Sequence, residues 1–281
     1  MEVPVDELRM KEDGRYYSEE TGSPFSGIGF HAKNGVRLSQ SHFRDGFREG
    51  EHSAFWPETG EKRIQGKYVE GFRSGLQTEW SVEGVKTSES TFASGALEGS
   101  FKTWFPNTGA IQEEGTYHSG KRHGAWITYY DDPSLEHQEE EERRKSQEAN
   151  YDNGQLSGME RRWTIRGVLI YEGNYVDGQM EGLHKKWHPN GIQQEANSYK
   201  NGQLFGNHEE WYDNGQLKYS TRYLENGANV NEQFWDVEGN ELDEYPVPTS
   251  SEPLPENLDQ PFLSEEQEFT PGVGAKNSNT P

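Results

Sequence analysis

The sequence predicts an all-β protein, an elongated single-layer antiparallel β-meander built from tandem β-hairpins of about 24 residues each. Three rows of residues in register predict it. A Tyr or Phe recurs at Phe43, Tyr68, Phe92, Tyr117, Tyr151, Tyr175, Tyr199 and Tyr223. A second aromatic row runs Phe30, Phe55, Trp80, Trp104, Tyr129, Trp163, Trp187, Trp211 and Trp235. A glycine row, Gly50, Gly75, Gly99, Gly124, Gly158, Gly182 and Gly206, keeps the same step. The step is 24 or 25 residues, with a single interval of 34 between the fourth and fifth members of the first row.

Each unit reads as two short strands and two turns. The first turn follows the Trp row, as at Asn190-Gly191, and the second follows the Tyr row, as at Asn201-Gly202. Asn-Gly between strands favours a two-residue type I′ turn, because both central residues need positive φ. The second turn varies as Asp45-Gly46, Glu70-Gly71, Ser94-Gly95, Ser119-Gly120, Asn153-Gly154 and Asp177-Gly178, always with Gly in place. Where the first turn is Pro57-Glu58-Thr59-Gly60 or Pro106-Asn107-Thr108-Gly109, one residue is added. A three-residue loop with left-handed Gly is expected there, so the two periods describe one fold.

A two-residue second turn also fixes cross-strand partners. It sets Tyr199 opposite Leu204, Tyr175 opposite Met180, Tyr151 opposite Leu156 and Phe92 opposite Leu97. In other units the partner is cationic: Phe43 with Arg48, Tyr68 with Arg73, Tyr117 with Arg122. Such pairs, aliphatic or Arg against a ring, each add roughly 0.2–1 kcal/mol.

The chain divides into three parts. Residues 1–26 form an N-terminal cap, which a repeat array needs for its unpaired terminal face. Residues 27–240 form the array, about eight repeats. The array carries an acidic loop insertion near 131–147 that accounts for the long interval, with Glu139-Glu140-Glu141-Glu142 at its centre. That charge run is read as a solvated loop, with a partner-contacting arm as the alternative. Residues 241–281 are rich in Pro and acid and are expected to form a disordered tail.

Composition narrows the function. Apolar residues make up 30% of the 281, against roughly 45% in ordinary globular chains, and mean hydropathy is −1.11. A thin array with wetted sheet faces fits this better than a two-layer core. Formal charge is −22, from 49 acidic and 27 basic residues. This argues against a nucleic-acid or anionic-membrane partner, where a basic surface is the footprint. It suits a basic protein partner, or equally a long open sheet kept soluble by its charge. Cysteine is absent, and no apolar run approaches the roughly 18–20 residues of a membrane span. The N-terminus, Met1-Glu2-Val3-Pro4-Val5, lacks the features of a signal peptide. A cytoplasmic place is expected, with a leader removed upstream of residue 1 as the alternative.

No catalytic constellation is present: there is no Gly-x-Ser-x-Gly elbow, phosphate loop or His-Glu-x-x-His. The glycines are assigned to turn slots of the repeat. His52, His184 and His208 share one slot of the repeat, but equivalent slots lie two strands, or about 9.6 Å, apart. Zinc–nitrogen bonds of about 2 Å do not span that gap. His184 and His188, on one face of one strand, are about 13 Å apart. The chain is therefore expected to be a non-enzyme, with no metal and no cofactor. If a binding face exists, Trp163, Trp187, Trp211 and Trp235 are the candidate partner contacts, since Trp dominates interface hot spots. The alternative is that this row is the packed spine of the sheet.

The unit Gly-x-x-x-x-Trp-(Tyr/His/Phe)-x-Asn-Gly-(Gln/Ile)-(Leu/Gln), followed by Tyr-x-Asn-Gly-x-x-x-Gly, resembles the variant MORN repeat. Gly206 to Tyr223, with Trp211-Tyr212-Asp213-Asn214-Gly215-Gln216-Leu217-Lys218, matches it most fully. Tandem arrays of this kind resemble bacterial proteins named as the YwqK family of antitoxins. The resemblance covers roughly residues 27–240. It implies a single-layer meander and a protein-binding role that neutralises a partner toxin. Val82-Glu83-Gly84 and Ile165-Arg166-Gly167 depart from the pattern by lacking the Asn. The resemblance offers no catalytic residue to carry over. Two functions are thus expected in order: an antitoxin- or immunity-like protein that binds a basic protein, or a structural MORN-repeat scaffold of envelope or cytoskeleton that self-associates through its sheet edges.

Overall fold

The computed structural model describes residues 1–131 and 144–246. Residues 132–143 of the acidic insertion, and residues 247–281 of the tail, lie outside the described residues.

One large sheet of 22 strand segments dominates, and from Gly27–Lys33 onward each strand pairs antiparallel with the next. No α-helix occurs among the described residues. The architecture is the expected elongated meander of tandem hairpins. All seven of the predicted cross-strand pairs are present, from Phe43 with Arg48 to Tyr199 with Leu204.

The second turns are type I′. Asn201 has φ 51° and Gly202 φ 77°, and Asp45, Glu70, Ser94, Ser119, Asn153 and Asp177 all have φ near 50°. The first turns differ from expectation. At His188-Pro189-Asn190-Gly191 only Gly191 has positive φ, at 85°. Gly191 N donates to His188 O, and His188 N donates to Ile192 O. This is a three-residue type I loop closed by a left-handed Gly. The longer units add a fourth residue: Gly60 N donates to Trp56 O, and Trp56 N to Glu61 O. The one-residue difference stands, but each loop is one residue longer than predicted. The same three-residue loop closes without proline at Val82-Glu83-Gly84, Ile165-Arg166-Gly167 and Asp213-Asn214-Gly215, so Pro189 suits the first central position of this type I turn but does not dictate it. Asn190 then turns its side chain to account, accepting from Ile192 N and donating to Asp213 O of the next unit.

The glycine row also corrects the reading of the sequence. It lies within the strands, at β-bulges, and not at turns. Gly50, Gly75, Gly99, Gly124, Gly158, Gly182 and Gly206 have φ between 73° and 109°, where a side chain is strained. The bulge lets each Tyr-row ring face Gly on one side and its Leu, Met or Arg partner on the other, as Tyr199 does with Gly182 and Leu204. It also re-aims the cations. Arg48 lies over Tyr68, 5.5 Å from the ring centre, Arg73 over Phe92 at 5.3 Å, and Arg122 over Tyr151 at 5.5 Å. Each guanidinium thus reaches the ring of the following unit, and the pair predicted within one hairpin ties two units together.

Both ends are closed by non-repeat residues. Glu2–Pro4 pairs parallel with the edge of Gly27–Lys33. A separate hairpin, Leu8–Met10 with Tyr16–Ser18, folds over one sheet face, where Leu8, Phe25 and Phe43 form a small core. At the far end order continues past residue 240. Glu241–Leu242 adds a short strand, and Tyr245 packs edge-on against Tyr219 and Phe234 while its hydroxyl donates to Glu210.

Candidate functional site

The alternation of a strand gives this sheet two faces. One carries a continuous row of buried and half-buried residues. Its large members are His52, Gln77, Phe101, Trp126, Glu160, His184 and His208, and its small members are Ser41, Gly66, Ser90, Gly115, Ala149, Gly173, Asn197 and Thr221. Registered pairs link them across the sheet: Ser41 to His52 to Gly66, Gln77 to Ser90 to Phe101 to Gly115, Trp126 to Ala149, and His184 to Asn197 to His208 to Thr221. Large alternates with small, strand by strand, so a single layer buries Glu160 completely and Trp126 to 3% exposure. The Tyr row borders this row, two residues along each strand. We call this the spine face.

The spine is polar where it is most buried, and most of its polar groups are met by protein, while Glu160 Oε2, Asn197 Oδ1 and His208 Nδ1 are buried without a hydrogen-bond partner among the described residues. Glu160 accepts from Gln147 and from Arg162 Nε. His184 Nδ1 meets the Tyr171 hydroxyl at 2.8 Å, Nε2 donates to Asn174 O at 2.8 Å, and the Tyr171 and Tyr175 hydroxyls lie 2.7 Å apart. Burial lifts the Tyr171 phenol well above its usual range and Tyr175 to about 12, and it pulls His184 below the usual imidazole value. Asn197 donates to Glu195, and His208 Nε2 lies 3.1 Å from Glu210. Among the described residues no group of three or more His, Asp or Glu is placed to hold a metal ion.

The candidate Trp residues stand on the other face. Trp187 follows His184 by three residues in the strand Gln179–Trp187, so its ring projects away from the spine. Trp163, Trp187, Trp211 and Trp235 are all half-buried. The spine of the sheet is therefore the histidine-containing slot and not the Trp row. What the Trp row does contribute is backbone. Tyr130 Oη donates to Trp163 O, His188 Nε2 to Trp211 O, and Tyr212 Oη to Trp235 O, at 2.7–3.0 Å. The opposite edge is stitched as well: Glu49, Glu98 and Glu181 accept from the N–H of Glu70, Ser119 and Asn201, one unit further on. The four Trp residues are spaced along one face but are not gathered into a pocket.

Where the regular second turn gives way to Leu224-Glu225-Asn226-Gly227, an open cleft of about 720 Å³ is lined by Phe205, Tyr223 and Leu224. Its Lys200–Glu225 ion pair measures 2.9 Å. It brings together no nucleophile and base.

The spine makes stability depend on acidity. His52, bonded to Ser41 Oγ at 2.8 Å, is pushed from 6.5 to about 4 by burial first and then by Arg48, Arg73 and Arg63. The folded chain therefore binds this proton less well than the unfolded chain. The contribution is complete above about pH 6.5, falls as pH drops toward 4, and amounts to at most about 3 kcal/mol. Thermal unfolding followed from pH 7 to 4 is expected to show this decline, and His52→Gln, which copies Gln77 in the same slot, to flatten it. An unchanged slope in the variant would assign the decline elsewhere.

Comparison with known proteins adds little. No family model matches the chain, and no curated protein does. Among 46 matching solved chains is an alternansucrase in complex with isomaltononaose. It is 13% identical, over 79% of this chain and 18% of that one, at a TM-score of 0.20. This chain thus spans under a fifth of that protein, and a likeness so slight carries no argument. The fold and its two faces define the class: a tandem β-hairpin repeat protein. Among the described residues no helix is long and apolar enough to cross a membrane.

Proposed function

We propose that the chain is a non-catalytic protein-binding array of the variant MORN type, antitoxin- or immunity-like, whose partner is a basic protein. The observation that supports this is the acid surplus of −22, together with what the bases are doing. Arg44, Lys102, Arg161 and Lys186 sit on Glu49, Glu114, Glu172 and Glu195. Arg48, Arg73 and Arg122 lie over rings. Many of the bases are thus engaged by carboxylates or rings, while Asp45, Glu70, Asp152 and Asp177 stand exposed at the second turns, with Arg44, Lys121 and Lys200 beside them. An elongated surface with a net acidic charge steers an oppositely charged protein and gives it many weak contacts.

Affinity capture from native lysate at low salt, eluted with rising salt, tests this. A single basic protein released by salt is the expected result, because exposed pairs are screened within a Debye length of about 8 Å at physiological salt. Recovery of the bait alone, as a larger assembly of itself, contradicts it and favours the scaffold.

A further inference from the structure

Three exposed apolar side chains stand together on the face opposite the spine. Val69 and Phe72 are cross-strand partners around the Glu70-Gly71 turn, and Leu76 follows the bulge at Gly75. Their exposures are 48%, 59% and 51%. The fold does not require them. The same three slots hold Ala93, Ala96 and Ser100 in the next unit, His118, Lys121 and Ala125 in the one after, and Lys200, Gln203 and Asn207 near the end. Those units form the same turn and the same ladder. The rim is acidic. Glu70 occupies the turn itself, Glu49 Oε2 accepts from its N–H at 2.8 Å, and Glu98 lies further along the same edge. The nearby Arg44 is held by Glu49 at 2.7 Å, and Arg73 lies over Phe92.

We infer that Val69, Phe72 and Leu76 are the anchor of the interaction surface, and that they take an amphipathic basic segment of the partner. Its apolar side chains would cover Phe72 and Leu76, and its Lys or Arg residues would meet Glu49, Glu70 and Glu98. An apolar patch rimmed by charge is a recognition surface, and the sign of this rim selects a cation-bearing segment. The inference rests on the acidic-array reading above and gives it a place. It also moves the centre of binding away from the Trp row, toward the second-turn edge of the second and third aromatic-row units.

The probe is a fluorescent amphipathic Leu/Lys peptide of about 14 residues, titrated at low and high salt. Phe72→Gln with Leu76→Ser uses residues that the array already carries in these slots, at Gln179 and Ser100, so the variant is expected to fold with the wild-type melting temperature. It should bind the peptide about tenfold more weakly, a typical anchor effect. Leu183→Ser, at the slot equivalent to Leu76 and equally exposed, should leave affinity unchanged. Equal binding by wild type and the double variant overturns the patch while leaving a general acidic surface in place. Equal losses in the double variant and Leu183→Ser overturn it too, since they make the whole face the site. If the wild type does not bind the peptide, the patch fails, and salt-dependent capture decides the wider reading on its own.

Discussion

Trp126→Ala is expected to cost about 3–5 kcal/mol, the range for removing a buried aromatic, and to unfold the array at a clearly lower temperature. Trp126 is 3% exposed at the middle of the spine. It stacks on Phe101 at 5.5 Å, meets Tyr117 edge-on at 5.2 Å, and carries the Arg122 guanidinium 4.3 Å from its ring centre. Its Nε1–H donates to Glu113 at 3.0 Å. Truncation opens a cavity, leaves Glu113 without that donor and takes one of two rings from Arg122. In a repeat array, stability is approximately a sum of units and their interfaces. The loss therefore falls on the contact between the strands Ala96–Trp104, Ile111–His118, Gly124–Tyr129 and Lys145–Asp152. Differential scanning calorimetry would show it as a lower or a split transition. A shift of the size expected for a surface substitution would show that Trp126 is not at the core.

Most of the architecture was legible in the sequence because its signals are local. Period 24 or 25, Gly in the second turn, and the Tyr-row partners follow from turn chemistry and strand alternation, and the register of Tyr199 with Leu204 needed nothing more. The first turn was misread for an equally local reason. Asn190-Gly191 was weighed alone, whereas the loop takes in residue 189 as well and leaves Gly191 as the only left-handed residue, as it leaves Gly84, Gly167 and Gly215 in units without proline. The glycine row was misplaced because positive φ serves bulges as well as turns. Bulges are set by pairing between strands, which no short stretch displays.

The spine was the larger omission. His52, His184 and His208 were visible in a single slot, yet the slot also holds Gln77, Phe101, Trp126 and Glu160, so no scale of polarity marks it as buried. The usable signal is size. Large side chains recur at the repeat period, and the facing strand answers with Ser41, Gly66, Ser90, Gly115, Ala149 and Gly173. The apolar patch at Val69, Phe72 and Leu76 was equally visible as residues. It gained meaning only once the other units showed that those slots tolerate Ala, Lys, His and Gln.

Gly173→Ala tests most directly the claim that a buried row on one face organises the sheet. Gly173 lies in the strand Leu169–Val176 and is not among the residues of positive φ. Its backbone thus asks for no glycine, and on conformational grounds alone alanine would stabilise by about 0.4–1 kcal/mol. On the spine face the added Cβ would clash with the His184 ring at Nδ1 and, at 2.6 Å, at Cε1, and would lie 2.7 Å from the Tyr171 hydroxyl. Both neighbours are fixed by their own hydrogen bonds. The predicted result is therefore of opposite sign, a loss of about 3 kcal/mol, at the upper end for overpacking, read as a fall in melting temperature. A variant as stable as the wild type, or more stable, would contradict the spine.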